Sequence, residues 1–321
     1  MQAGLLQAGL ILAGLLPALR PAVALNFDFS TIPGDTLTNA EAAAFAAAGN
    51  AWAAVLTNPV TLHVQIGFRD LGAGVLGQTT PVFVDGPSIV IGQRLALETL
   101  TSPGRQAASS LDTVSPTARL AVTNAEAKAL GFNQSGSDGR VEFSTEFAFS
   151  TVRGLNGTID PITYDLIGVA EHEIGHLLGF DSSLDGGTGG YATLLDAYRF
   201  AAPGIRSLTA GAAAYFSFDG GQTALAPFAP GGSGDEASHW GSGVTALMQP
   251  EYGLGQTVDI TQLDITAMDA LGWNATRLVA TSVPEPAGAA VAIVGVAALL
   301  FRRRRGNPSR RRPHRDHAEP R

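Results

Sequence analysis

The sequence predicts an α+β domain over residues 25–280 of the 321-residue chain, and three observations predict it. An Ala-rich stretch at 39–56 carries its apolar residues at helical spacing. Two stretches, 61–68 and 140–150, alternate apolar and polar residues as half-buried strands do. A second apolar helical pattern runs from Asp160 to Gly179 and is followed by a Gly-rich remainder. Apolar residues make up 45% of the chain, enough for a sizeable core.

The elements follow in order. Thr38 or Asn39 caps the helix that runs to Leu56. TLHVQIGF at 61–68 alternates as a strand, with Val82-Phe83-Val84 and Ser88-Ile89-Val90-Ile91-Gly92 as possible partners. RVEFSTEFAFS at 140–150 places Val141, Phe143, Phe147 and Phe149 as its larger apolar residues. Asp160-Pro161 supplies an N-cap and a first-turn proline for the long helix, and Gly179 a stop. A hairpin at 214–228 turns at Asp219-Gly220-Gly221, a motif whose Asp-Gly chemistry also suits calcium. A last helix fits 260–273.

Charge is unevenly distributed. Nine Arg against Asp316 and Glu319 lie between Arg302 and Arg321, whereas Leu25 to Phe301 holds 10 basic and 26 acidic residues, a net −16. An acidic body with a single lysine, Lys128, argues against nucleic-acid binding. The absence of cysteine excludes disulfides, thiolate metal sites and cysteine nucleophiles.

The two ends read as addresses. Uncharged GLLQAGLILAGLLPAL at 4–19, followed by Ala22-Val23-Ala24, predicts a signal peptide over 1–24. Near the other end stand Val283-Pro284-Glu285-Pro286, a 15-residue apolar span at 287–301 and four arginines at 302–305. Together they resemble the PEP-CTERM sorting signal of Gram-negative bacteria, over 281–305, with a basic tail at 306–321 beyond it. That resemblance implies export, a short transmembrane helix, and handling of the tail by an exosortase-type enzyme. The product would remain at the cell surface, enter the extracellular matrix, or be secreted after tail processing.

The long helix contains His172-Glu173-Ile174-Gly175-His176. Histidines at i and i+4 share one helix face and suit two imidazoles on one zinc ion. Glu173, beside the first of them, can act as general base toward a metal-activated water. Such a site needs a third protein ligand. Asp181 is one candidate; His239, the remaining histidine downstream in the domain, is the other.

HEIGHLLG fits the opening of the metzincin zinc peptidases, although Ser182 stands where their third ligand usually falls. The segment ASHWGSGVTALMQP at 237–250 resembles the leishmanolysin family. There a third histidine lies far downstream, shortly before a methionine turn. The resemblance covers about residues 160–273. It implies a metzincin-like fold, with a mixed sheet and active-site helix first and an irregular part with the Met-turn and final helix after. It also implies zinc on His172, His176 and His239, with Met248 as the turn methionine. Tyr252, four residues further on, is a candidate for stabilising the oxyanion. The activity implied is that of a secreted zinc endopeptidase acting on protein or peptide substrates. The alternative is a non-catalytic surface or exopolysaccharide-matrix protein that keeps the peptidase fold.

Overall fold

Along the chain the elements are β1 (Asn26–Thr31), α1 (Asn39–Val55), β2 (Thr61–Arg69), β3 (Gly77–Pro81), β4 (Phe83–Pro87), α2 (Ser88–Glu98), α3 (Ser102–Ser110), β5 (Arg119–Thr123), α4 (Asn124–Ala129) and β6 (Gly139–Ser144). There follow β7 (Phe149–Ser150), β8 (Tyr164–Asp165), α5 (Leu166–Leu177), β9 (Ala192–Thr193), β10 (Arg199–Ala202), β11 (Ile205–Arg206), β12 (Tyr215–Phe216), β13 (Ala226–Pro227) and α6 (Gln262–Ala270). The computed structural model describes residues 24–232 and 236–276, all within one unit of the chain, Met1–Leu278. The predicted signal segment up to residue 23 and the predicted tail segments from 281 onward lie outside the described residues. Among the described residues no helix is long and apolar enough to cross a membrane.

The architecture is α+β with a mixed main sheet in the order β1-β2-β6-β3. The pairs β1/β2 and β2/β6 are parallel, and β3 runs antiparallel to β6 at the edge. Leu62, Val64 and Ile66 of β2 alternate into the core with Val141 and Phe143 of β6. Helix α1 opens on a capping box: Glu41 N–H donates to Thr38 Oγ1 at 3.2 Å and Thr38 N–H to Glu41 Oε2 at 2.7 Å. Its Ala-rich face lies against α5, and Trp52 Nε1 donates to the Glu171 carbonyl at 2.8 Å. Helix α5 has nearly every residue buried, as a helix enclosed by other elements must.

Several elements depart from the sequence reading. Residues 88–92 are the start of α2, not a strand. Pro87 supplies no N–H to extend the ladder, and Ile91 and Leu95, four apart, bury one helical face. Residues 83–87 pair with β5, not with β2. The stretch 140–150 is broken into β6 and β7, and β7 pairs with β8 in a separate two-stranded sheet. Helix α5 starts at Leu166 instead of after Asp160. Asp160 makes a turn, accepting from Ile162 N–H at 3.1 Å, and β8 separates that turn from the helix. Arg153 fastens the new helix start, donating to Asp165 Oδ2 from Nε at 2.8 Å. The 214–228 hairpin is present, with β12 antiparallel to β13. Asp219 serves the turn between them, accepting from Ser217 Oγ at 2.6 Å and Thr223 N–H at 2.9 Å.

Helix α4 carries a second capping box at Thr123, whose partner Glu126 is 1% exposed. A Cβ at Gly179 would lie 2.9 Å from the Glu126 carboxyl carbon, so the turn that ends α5 sits directly on this acid. Burial pushes the Glu126 carboxyl well above its ordinary 4.5, against the Thr123 N–H bond, with the nearby Asp181 charge adding to the rise. The folded chain therefore holds this proton more tightly than the unfolded chain, and the associated stability is lost as pH rises above 4.5. Glu126→Gln, which mimics the protonated acid, is expected to raise the melting temperature relative to wild type more at pH 8 than at pH 5. The conversion is about 2–4 °C per kcal/mol for a domain of this size. Thermal melts of both proteins at the two pH values check it, and a difference independent of pH would contradict the account.

Candidate metal centre

The C-terminal half of α5 presents His172 and His176 on one face, their ring centroids 4.8 Å apart. Between them Gly175 faces the Met248 side chain. A Cβ there would lie 2.4 Å from Met248 Sδ, so the methionine packs directly beneath the helix at this point. The helix then ends in a Schellman turn. Phe180 N–H donates to Gly175 O at 3.1 Å and Gly179 N–H to His176 O at 3.0 Å, with Gly179 at φ +114°. This turn swings the Phe180 carbonyl back to 2.7 Å from His176 Nδ1. The loop after it is held by Asp196, which accepts from Ser182 Oγ, Ser183 N–H and Thr193 N–H at 2.6, 2.9 and 2.9 Å.

His239 arrives from a loop that Asp264 organises. Asp264 is fully buried and accepts from Trp240 Nε1 at 2.8 Å, Leu247 N–H at 3.0 Å and Met248 N–H at 3.2 Å. Trp240 N–H donates to the Met248 carbonyl at 2.8 Å, which joins the His-Trp segment to the methionine turn. The Trp240 ring packs against Phe180 and Phe228 at 4.8 and 5.3 Å between centroids. Asp185 accepts from Ala237 N–H at 2.7 Å and Ser238 N–H at 2.8 Å, fixing the approach to His239 from the other side.

The three histidines converge through Nε2. His172 Nε2 is 3.1 Å from His176 Nε2 and 3.1 Å from His239 Nε2. Backbone carbonyls only accept, so the contacts of His172 Nδ1 to Leu247 O (2.8 Å) and His176 Nδ1 to Phe180 O put the ring protons on Nδ1. Their Nε2 lone pairs then face one another and His239. Added protons do not relieve this. Burial, and then the charge of His176, lowers the His172 imidazole to about 3, and burial lowers His176 to about 4 despite the Phe180 contact. His239 is pushed well below 6.5 by burial, then by His172 and His176. Uncharged imidazole nitrogens gathered in this way are suited to coordinate a cation between them. For zinc with ligands at about 2.0–2.1 Å, the edge of the tetrahedron is about 3.3–3.4 Å. The observed separations fall close to that edge. His172, His176 and His239 form a buried group that could hold a metal ion, the one such group among the described residues.

The other predicted residues are placed as follows. Glu173 is 5% exposed and turned toward β3, where Thr79 Oγ1 donates to its Oε2 at 2.7 Å. Burial raises its carboxyl to about 8, the Thr79 bond opposing and the Glu236 charge adding. Asp181 lies beside the trio but outside it, with Ser238 Oγ 3.3 Å from its Oδ1. Burial and the Asp185 charge raise it to about 7. Tyr252 stands edge-on to His172, centroids 5.4 Å apart. Its hydroxyl donates to Leu247 O and lies 3.2 Å from His172 Nδ1. It therefore braces the outer edge of the ring, not the Nε2 side that an oxyanion contact would need.

All of this borders a cleft of about 790 Å³, flanked by Gly77–Pro81 of β3, by Gly186, Gly187 and Glu236, and by residues 250–252. Sequence reasoning missed Thr79, Asp185, Asp196 and Asp264. Asp264 and Asp196 each left a readable trace, a Thr-x-x-Asp capping pattern after Thr261 and after Thr193. No protein-family model matches the chain, and no curated protein matches its sequence.

His239→Ala is expected to weaken zinc binding by orders of magnitude, whereas Asp181→Ala leaves it within a few-fold of wild type. Competitive zinc titration of the two variants decides between the ligands. Loss of the metal in Asp181→Ala with retention in His239→Ala would replace the trio by an aspartate site.

Proposed function

We propose that the chain is a zinc-dependent endopeptidase of metzincin type, nearest in its motif order to the leishmanolysins. The observation that carries the reading is the convergence of three uncharged imidazole Nε2 atoms beside a buried carboxylate, in an open cleft. Imidazole ligands in a three-nitrogen set suit zinc, which His172, His176 and His239 would hold where they line the cleft. Zinc bound there supplies a Lewis acid and acidifies water.

The chain's own residues supply the rest. Glu173, next to His172 in the chain and lining the same cleft, is the group that would take and return the proton. Leu247 O and Phe180 O hold the two helix histidines by their Nδ1 protons, which keeps Nε2 free. Strand β6 lies between β2 and β3 and has no free edge for a further strand, whereas β3 is at the edge of the sheet. Strand β3 pairs with β6 on one side and borders the cleft, so an extended peptide can align along it by main-chain hydrogen bonds. Asp185, Glu236 and Glu251 add acidic groups to the cleft without any Arg or Lys among the lining residues, which favours basic segments of substrate. The signal and sorting resemblances at the two ends support export and exosortase handling, and with them an extracellular or surface substrate.

Glu173→Gln is expected to lower peptide turnover by about 10²–10⁴-fold while zinc stoichiometry stays at the wild-type level. Turnover of an internally quenched peptide and metal analysis of the same preparations check it. Unchanged turnover would remove Glu173 from the reaction. A wild-type protein that binds zinc but shows no chelator-sensitive hydrolysis would favour the non-catalytic matrix reading.

A further inference from the structure

Strand β3 is built for contact with α5 at alternate positions. Gly77 and Thr79 share the strand face that meets the helix, while Gln78 and Thr80 are exposed. Gly77, the first residue of the strand, has no Cβ and so admits a close neighbour. Here the close approach is Glu173: a Cβ on Gly77 would lie 2.7 Å from its Oε1 and 2.9 Å from its Cγ. Two residues on, Thr79 Oγ1 lies 2.7 Å from Glu173 Oε2 and 2.8 Å from the Glu173 backbone carbonyl. A glutamate has three side-chain torsions, and only its neighbours select among them. Threonine, branched at Cβ, presents its hydroxyl with little torsional freedom.

We propose that Thr79 is the positioning residue for Glu173, with Gly77 providing the space in which the carboxylate sits. This rests on the peptidase reading and deepens it. The hydroxyl has one proton and two acceptors on the same residue. When the carboxylate turns toward a water molecule or a leaving amine, the hydroxyl can donate to the helix carbonyl instead. The carboxylate thus has a fixed resting place and leaves no buried donor stranded when it moves. Because β3 is also the strand along which substrate would align, the base and the peptide are registered against the same five residues.

The test compares wild type with Thr79→Val, Thr79→Ser, Gly77→Ala and Glu173→Gln. Each is measured for kcat and KM on a quenched peptide, for zinc stoichiometry, and for affinity toward a peptide hydroxamate, whose hydroxyl contacts the base. Thr79→Val, which keeps the shape and removes the hydroxyl, should lower kcat by about 10- to 100-fold, the scale of a misplaced catalytic group. KM and zinc content should stay near wild type, and hydroxamate affinity should weaken. Thr79→Ser should restore kcat to within a few-fold of wild type. Gly77→Ala should lower kcat with Thr79 intact, and it covers the case in which Thr79→Val fails to fold. Wild-type kcat in both Thr79→Val and Gly77→Ala, with Glu173→Gln inactive, would overturn the positioning role and leave the peptidase reading standing. Were wild type itself inactive, the peptidase reading would fail instead, and hydroxamate affinity would still decide the positioning role. Equal affinity in wild type, Thr79→Val and Glu173→Gln would overturn it.

Discussion

The geometry of the histidine trio depends on one buried carboxylate, Asp264. It accepts five hydrogen bonds: Trp240 Nε1, Leu247 N–H, Met248 N–H, and the Thr261 N–H and hydroxyl. Each of these donors governs a different part of the centre. Trp240 follows His239 in the chain, the Leu247 carbonyl takes the His172 Nδ1 proton, and Met248 packs beneath Gly175. The Thr261 pair caps the last helix and so fixes where Asp264 itself stands. A carboxylate buried to this depth persists only when its acceptor sites are filled. Here the donors that fill them come from the loop that must be held.

The helix that carries His172 and His176 is held by the same kind of contact. The three tryptophans are fully buried, and each spends its indole proton on this part of the fold. Trp52 donates to the Glu171 carbonyl, Trp273 to the Leu178 carbonyl and Trp240 to Asp264, each at 2.8 Å. Large apolar area is thus buried together with a directional bond. The helix is fixed from α1 on one side and from the end of α6 on the other. Positional precision at the histidines comes from rigid elements, as a metal site of fixed geometry requires.

What could be read in the sequence was local in character. The HExxH spacing, the glycine stop at Gly179 and the Thr38 cap act over three or four residues, and the structure has all three. His239 could be reached by counting histidines, because few remained. The missed features are those in which local signals mislead or long-range partners decide. Ser88-Ile89-Val90-Ile91 has strand composition, yet Pro87 and the Ile91/Leu95 pair make it a helix. Gly77–Pro81 has the Gly, polar and Pro content of a loop, yet β6 recruits it as an edge strand, because its small residues fit against α5. The Thr79–Glu173 contact spans 94 positions, and the contacts of Asp264 to Trp240, Leu247 and Met248 join residues whose pairing no spacing rule encodes.

The central claim is that three histidines, and no carboxylate, hold the metal. X-ray absorption at the zinc edge of the zinc-loaded protein tests it most directly. The account predicts a four-coordinate shell with three imidazole nitrogens at about 2.0 Å and one exchangeable oxygen. A shell with two imidazoles and a non-exchangeable carboxylate oxygen would contradict it, and so would an oxygen-rich six-coordinate shell.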